Sequence, residues 1–217
     1  MQIFEYHPPI EPWLNIVHVD KDIIVIDKQS GLLSNPGRAA HTFDCALTRL
    51  QQAYPETLLV HRLDCATSGI MVFARSKKAE SHLKTQFQDR QNKKVYIAEV
   101  AGHLAEPNGT ILALLMADKE NPPYQKVSPL GKSAISHYKV LEQRPDSSLV
   151  ELTLETGRTH QLRVHMLHLG HPILGDDFYG DEAIVNARPR LCLHATELSI
   201  IHPYSGKTLS FTSPHPF

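Results

Sequence analysis

Apolar and polar positions divide the chain into many short strand-like runs with few helical stretches between them. Ile23–Asp27 (IIVID), Leu58–His61 (LLVH) and Ile70–Ala74 (IMVFA) are brief, apolar and β-branched, which is strand composition. Val95–Ala101, Ala134–Leu141 and Leu149–Leu154 alternate as half-buried strands do, and Leu191–His194 and Leu209–Thr212 are shorter candidates. Three segments predict helices. Thr42–Tyr54 places Ala46, Leu47 and Leu50 on one face. Lys77–Arg90 follows Ser76 as its N-cap and repeats Ala79, Leu83 and Phe87 every four residues. His160–Leu169 carries Leu162, Met166 and Leu169 on one stripe, with Gly170 and Pro172 as its stop. Asn121–Pro129 (NPPYQKVSP) predicts a loop. Many strands, few helices and no steady βαβ rhythm predict an α+β fold with a mixed, mostly antiparallel central sheet. No repeat or domain boundary stands out, so one domain over residues 1–217 is expected.

Composition narrows the class. The chain has 217 residues, 41% of them hydrophobic and 21% charged, enough for one sizeable core and incompatible with a disordered or collagen-like chain. No apolar run reaches the length of a membrane helix, and the opening MQIFEYHPPIEPW has neither a basic start nor an apolar stretch. A soluble cytoplasmic protein with no membrane partner is expected. The three cysteines, Cys45, Cys65 and Cys192, are widely spaced, which suits free thiols acting as packing residues. Lys and Arg total 22 against 23 Asp and Glu, so overall charge carries no signal. Its distribution does. Residues 75–94 hold seven cations against Glu80 and Asp89, an excess of five, which is either a solvated helix face or a surface for phosphates.

Three segments can carry chemistry. His61–Gly69 (HRLDCATSG) packs polar residues between two apolar strands and must be a connecting loop. Arg62 and Asp64, two apart, face the same way if extended, as a structural ion pair or as part of a site. Lys93-Lys94-Val95-Tyr96 puts a tyrosine at a strand start, for packing, for stacking on a base or for proton transfer. Thr156–His165 (TGRTHQLRVH) runs from a strand through a Gly turn into a helix, whose N-terminus with Arg158 and Arg163 suits an anion or is simply a basic first turn. His165, His168 and His171 recur every third residue, so a His-liganded metal hydrolase is an alternative, although the HExxH pattern is missing and the helix stop precedes His171. A glycosidase is weaker, because Asp64 has no acidic companion in these segments.

Taken together, the segments resemble the RluA family of pseudouridine synthases. HRLDCATSGIMVFA resembles the family's HRLD-x-x-TSG stretch, and KKVYIAEVAG its basic-x-Tyr strand. GRTHQLRVHMLHLGHPILGDDFYG resembles its GR-x-HQ-aliphatic-R-x-H…GHP-aliphatic-GD-x-x-YG stretch, and DKQSGLLSNPG its NKPSGLL-type opening. Order and spacing agree over roughly residues 12–200. Gln29 stands where Pro is usual and Asp177 where Pro is common, departures expected to touch loop geometry alone.

The resemblance implies a pseudouridine synthase fold with a catalytic cleft. It also implies an enzyme, an isomerase, that converts uridine to pseudouridine in RNA without cofactor or metal. The opening motif begins near residue 22, which leaves no room for the S4 domain of longer members. The implied type is the compact one, which modifies 23S rRNA and tRNA anticodon stem-loops, expected here as a monomer. By resemblance Asp64 is the catalytic carboxylate, Arg163 pairs with it, and Tyr96 lies against the uracil. Leu162 packs near the base, and Arg62 fills the gap left by the flipped uridine. Lys94, Arg158 and His160 are expected at the RNA, and the basic helix at its phosphates. A non-catalytic RNA-binding module is the main competing reading.

Overall fold

The structure is a computed structural model that describes residues 5–217. The chain folds as two compact units, one formed by the chain up to Lys93 with Ala195–Pro214, the other by Lys94–His194 with His215–Phe217. The first unit opens with β1 (Ile16–Val19), β2 (Ile23–Lys28), a 3-10 turn (Ala40–Thr42), α1 (Ala46–Ala53), β3 (Leu58–Leu59), β4 (Ser68–Ala74) and α2 (Lys77–Gln88). The second contains β5 (Lys93–Ala101), β6 (Asn108–Ala117), β7 (Gln125–Val127), β8 (Lys132–Gln143), β9 (Ser147–Leu154), α3 (Gln161–His168) and α4 (Glu182–Asn186). The chain then returns with β10 (Leu193–Ile201) and β11 (Thr208–Thr212) to complete the first unit.

In the first unit the strand order is β1-β2-β4-β10, with β11 beside β10 and β3 beside β4. The apolar runs IIVID and IMVFA pair antiparallel from Ile23↔Ala74 to Lys28↔Gly69. Ile23, Val25, Ile70 and Val72 pack with Ala79 and Leu83 of α2 and with Leu198 and Ile200 of β10. Ser76 caps α2 as expected, its Oγ accepting from Ala79 N at 3.1 Å. Gly69, with φ +117°, lets β4 approach β10, since a Cβ there would meet Ala195 O at 2.3 Å.

The second unit's strands run β5-β9-β8-β6-β7, every neighbouring pair antiparallel. The mostly antiparallel expectation therefore holds. Strand β5 is buried continuously from Val95 to Val100 rather than alternating, because it is covered on both faces. Strand β6 has the clean burial alternation but escapes the pattern reading, because its outward positions are also leucines, Leu112 and Leu114. Strand β7 lies inside the stretch read as a loop. Its three residues pair only with Leu115–Ala117 and have no periodicity of their own. Strand β10 runs to Ile201, well past the short Leu191–His194 candidate, because Thr196, Glu197 and Ser199 interrupt its apolar run. Helix α1 starts at Ala46 rather than Thr42. Cys45 is its N-cap and accepts from Thr48 N, while Thr42 belongs to the 3-10 turn. None of the three cysteines is in a disulfide. Burial pushes the Cys192 thiol up to about 11, which suits an inert packing residue.

Candidate active site

The chain leaves β3 at Val60 and enters β4 at Ser68, and the loop between carries Arg62 and Asp64. Leu63 is buried, Arg62 exposed and Asp64 half-buried, so the two charged side chains share the outward side. The backbone of this loop is held by the opening motif DKQSGLLS. Ser34 Oγ donates to Leu63 O at 2.6 Å and accepts from Leu63 N at 3.0 Å. Ser30 Oγ donates to Ala66 O at 2.6 Å, and Gly31 N to Cys65 O at 2.9 Å. Lys28 is fully buried, and its Nζ donates to Gln29 O, Leu32 O and Cys65 O at 2.8, 2.6 and 3.1 Å. An ammonium has three donors and is costly to bury unless each is used. Here three carbonyls take them. Lys28, Ser30 and Ser34 therefore fix the Asp64 loop. The sequence reading assigned them no role, although a lysine closing an otherwise apolar strand was the signal for it.

In the second unit, Tyr96 is a buried residue of β5 opposite Leu152 of β9. Lys94, two residues earlier, is half-buried, and desolvation lowers its pKa. Helix α3 carries Leu162 and Arg163, both buried, and all six residues from Gln161 to Met166 are buried. The expected amphipathic stripe is thus replaced by a helix whose first six residues are enclosed, while Leu167 and His168 at its end are exposed. Leu169 is exposed. Its polar residues survive burial because each finds partners. Gln161 Nε2 donates to Ile135 O at 3.0 Å and Ser136 Oγ at 2.9 Å, while its Oε1 accepts from Arg158 N at 3.0 Å and Thr156 Oγ1 at 2.8 Å. Ser136 Oγ lies 3.0 Å from His165 Nδ1, while His165 Nε2 has no hydrogen-bond partner. Burial pushes the His165 imidazole down to about 4, with His168 adding to the shift, so it stays neutral at physiological pH.

Arg163 was expected to pair with Asp64. Its Nε donates to Asp176 Oδ2 at 2.9 Å and its Nη2 to Asp176 Oδ1 at 2.6 Å, a bidentate pair in which both residues are buried. Nη2 also reaches Asp177 Oδ1 at 3.2 Å. The charge of Arg163 is therefore compensated from within its own unit. Asp177, expected to affect loop geometry alone, touches this guanidinium through a carboxylate that a proline does not have. The rings of Phe178 and Tyr179 lie 4.8 and 5.3 Å from the guanidinium carbon.

His160 stands at the N-cap of α3 in the left-handed region, φ +53°, an uncommon conformation for a residue with a Cβ. Its Nδ1 is 2.7 Å from the Tyr179 hydroxyl, which itself accepts from Gln125 N at 3.0 Å. Arg158 is exposed.

Two sequence expectations change. Much of the basic run 75–94 is neutralised locally. Lys77 and Lys84 both bind Glu80, Lys93 binds Glu197, and Arg75 binds Glu56. His165, His168 and His171 do not form a ligand cluster among the described residues. His171 Nδ1 is 2.8 Å from Ala101 O, and His168 is exposed. The described group with ligand-like spacing is Asp20, Asp22 and His202. His202 Nδ1 accepts from Tyr204 N and Ser205 N, so its proton is on Nε2, facing Asp20 Oδ2 at 3.2 Å. That tautomer makes an Asp–His hydrogen bond rather than a metal ligand.

The sequence model of RNA pseudouridylate synthase matches residues 22–168, a span that includes the Asp64 loop, Tyr96 and the Arg163 helix. The chain belongs to the RNA pseudouridylate synthase family. It is 47% identical over 219 residues to the dual-specificity RNA pseudouridine synthase RluA of Haemophilus influenzae, and 48% identical over 219 residues to that of Escherichia coli, each match covering 100% of both chains. Among solved structures it resembles human RNA pseudouridylate synthase domain containing 1, with a TM-score of 0.79 and 30% identity over 94% of this chain and 84% of that one. Human RNA pseudouridylate synthase domain containing 4 gives a TM-score of 0.75 and 27% identity over 93% of this chain and 88% of that one. The chain is thus an RNA pseudouridine synthase of RluA type, an isomerase, and its mostly antiparallel α+β architecture is the one these relatives share.

Proposed function

We propose that this synthase isomerises specific uridines in 23S rRNA and in tRNA anticodon stem-loops, with Asp64 as the catalytic carboxylate. The reaction breaks the N1–C1′ bond, turns the base and joins C5 to C1′. An ionised carboxylate serves it either as a nucleophile at C1′ or as a base at C2′. The observation that carries the reading is the Asp64 loop, whose carbonyls at 63, 65 and 66 are each bound by a donor from residues 28–34. A loop held this way keeps its carboxylate in one place, which covalent or acid–base chemistry requires.

In this reading Tyr96 lies against the uracil and assists loss of the C5 proton. Arg163 holds the charge of Asp64, and Leu162 packs beside the base. Arg62, exposed at the loop, takes the space of the flipped nucleotide. Lys94, Arg158 and His160 bind the RNA around it. The enzyme acts as a cytoplasmic monomer. The relatives are named dual-specificity RNA pseudouridine synthases, which supports a reading with more than one kind of RNA target.

The test uses RNA tritiated at uridine C5, as a tRNA anticodon stem-loop and as 23S rRNA fragments. Purified protein is expected to release tritium from both, in EDTA, and Asp64→Ala to release none while still binding RNA. Near-normal release by Asp64→Ala removes Asp64 from the chemistry. Binding without release by the unaltered protein favours a non-catalytic module on these RNAs.

A further inference from the structure

The turn after Ile173 encloses the Arg163 guanidinium with four consecutive residues, two carboxylates and two aromatic rings. Its geometry is tightly determined. Gly175 has φ +73°, and a Cβ there would lie 2.0 Å from Arg190 O. Gly175 N donates to Ile184 O at 2.8 Å, and Gly180 N to Asp176 O at 2.9 Å.

The two oxygens of Asp176 have different duties. Oδ1 accepts from Phe178 N at 3.0 Å and Tyr179 N at 3.1 Å, which closes the turn, and also takes Arg163 Nη2. Oδ2 takes Arg163 Nε at 2.9 Å. A guanidinium gripped along its Nε–Nη2 edge is fixed in plane and in rotation, and the Nη1 end faces away from the gripping carboxylate.

We propose that Asp176 is the positioning residue for Arg163: it takes the Nε–Nη2 edge and so fixes the plane and rotation of the guanidinium that turnover uses. This inference rests on the role given to Arg163 under the proposed function. Asp177 has a different part. Its side chain is 62% exposed and reaches only Nη2, so it adds charge without fixing the plane.

The experiment exploits the divided duties. Asp176→Asn can keep Oδ1 on the turn while it replaces the acceptor of Nε with an amide nitrogen. Turnover and RNA KM are measured for Asp176→Asn, Asp177→Ala, Arg163→Lys and the Asp176→Asn/Arg163→Lys double variant, with circular dichroism and thermal melting as folding controls. Asp176→Asn is expected to lower kcat by about ten-fold or more with KM for RNA unchanged. In the Arg163→Lys background, where no fork remains to be aimed, the same change is expected to lower kcat less than about three-fold. Asp177→Ala is expected to change kcat less than about two-fold. Equal losses from Asp176→Asn in both backgrounds, or a loss from Asp177→Ala as large as that from Asp176→Asn, overturn the inference. Unchanged turnover in Arg163→Lys instead overturns the role of Arg163 itself, a separate failure that the single variants at Asp176 do not mimic.

Discussion

The Asp64 loop and helix α3 present their proposed site residues by opposite means. The loop is held through its backbone. Lys28, Ser30 and Ser34 reach in from a neighbouring segment and bind its carbonyls, and the loop's own charged side chains stay on the outward side. Helix α3 is held through its side chains. Gln161, Arg163 and His165 are buried and each is committed to a partner on another element. Backbone clamping fixes the path of the loop at residues 63, 65 and 66 through groups outside the Asp64 side chain. Side-chain clamping makes the α3 residues serve stability and function together. The helix also contains a neutral buried imidazole that responds strongly to pH.

The largest expected difference follows from His165. Its folded pKa is about 4, against an ordinary value of 6.5. Folding thus favours the neutral form. The unfolded chain takes up the proton first as pH falls through 6.5, so stability is fully present above that value and is lost between 6.5 and 4. At about 1.4 kcal/mol per unit, the loss approaches about 3 kcal/mol. Urea unfolding at pH 7 and pH 4.5 should show this drop, and His165→Gln should reduce it, whatever its own cost at pH 7. Amide exchange at pH 4.5 should show α3 opening before the 60–67 loop. Identical acid losses in the two proteins break the contrast. A separate, lower window belongs to Asp20. Burial alone raises its pKa, but the hydrogen bonds from His18, Asp22 N and Ile23 N outweigh it and hold it at about 2. Its contribution is present above the ordinary carboxylate range and is lost as pH falls toward 2.

A smaller effect tests the loop side. Ser34→Ala leaves Leu63 N–H and C=O without their buried partner. The expected cost is about 1–3 kcal/mol, with faster exchange of the Leu63 amide and reduced turnover. Exchange in α3 should be unchanged. If α3 loosens equally, the two regions are not held independently.

The same contrast explains what could be read from sequence. Strands β2 and β4, helix α2 and the loop between β3 and β4 were legible because their signals are local: apolar runs, Ser76 before a four-residue repeat, and polar residues squeezed between strands. The roles proposed for Asp64 and Arg163 rest on resemblance, and no local pattern pointed to Asp176, thirteen residues from Arg163, as the acid that grips it. Strand β6 was hidden because Leu112 and Leu114 face outward, so hydropathy does not alternate where burial does. Helix α3 was found but its surroundings were misjudged. Periodicity assumes that polar residues face water, and here Gln161, Arg163 and His165 face partners.

The smallest expected effect lies on α2, where a similar charge pairing occurs in solvent. Glu80 binds Lys77 at 3.0 Å and Lys84 at 2.7 Å, and both lysines are exposed. Those hydrogen bonds lower the Glu80 pKa, against a smaller opposing effect of burial. Exposed pairs of this spacing contribute about 0.5 kcal/mol, because water screens the charges and two long side chains lose freedom. Glu80→Gln should therefore cost about 0.5 kcal/mol in urea unfolding, far less than a change that leaves a buried charge unpaired. It also releases two ammonium groups. If α2 contacts RNA phosphates, the slope of log affinity against log salt should steepen by about one to two. An unchanged slope places α2 away from the RNA path. The local excess of five positive charges is then a solvated face whose pairs position nothing, in contrast to the buried carboxylate behind Arg163.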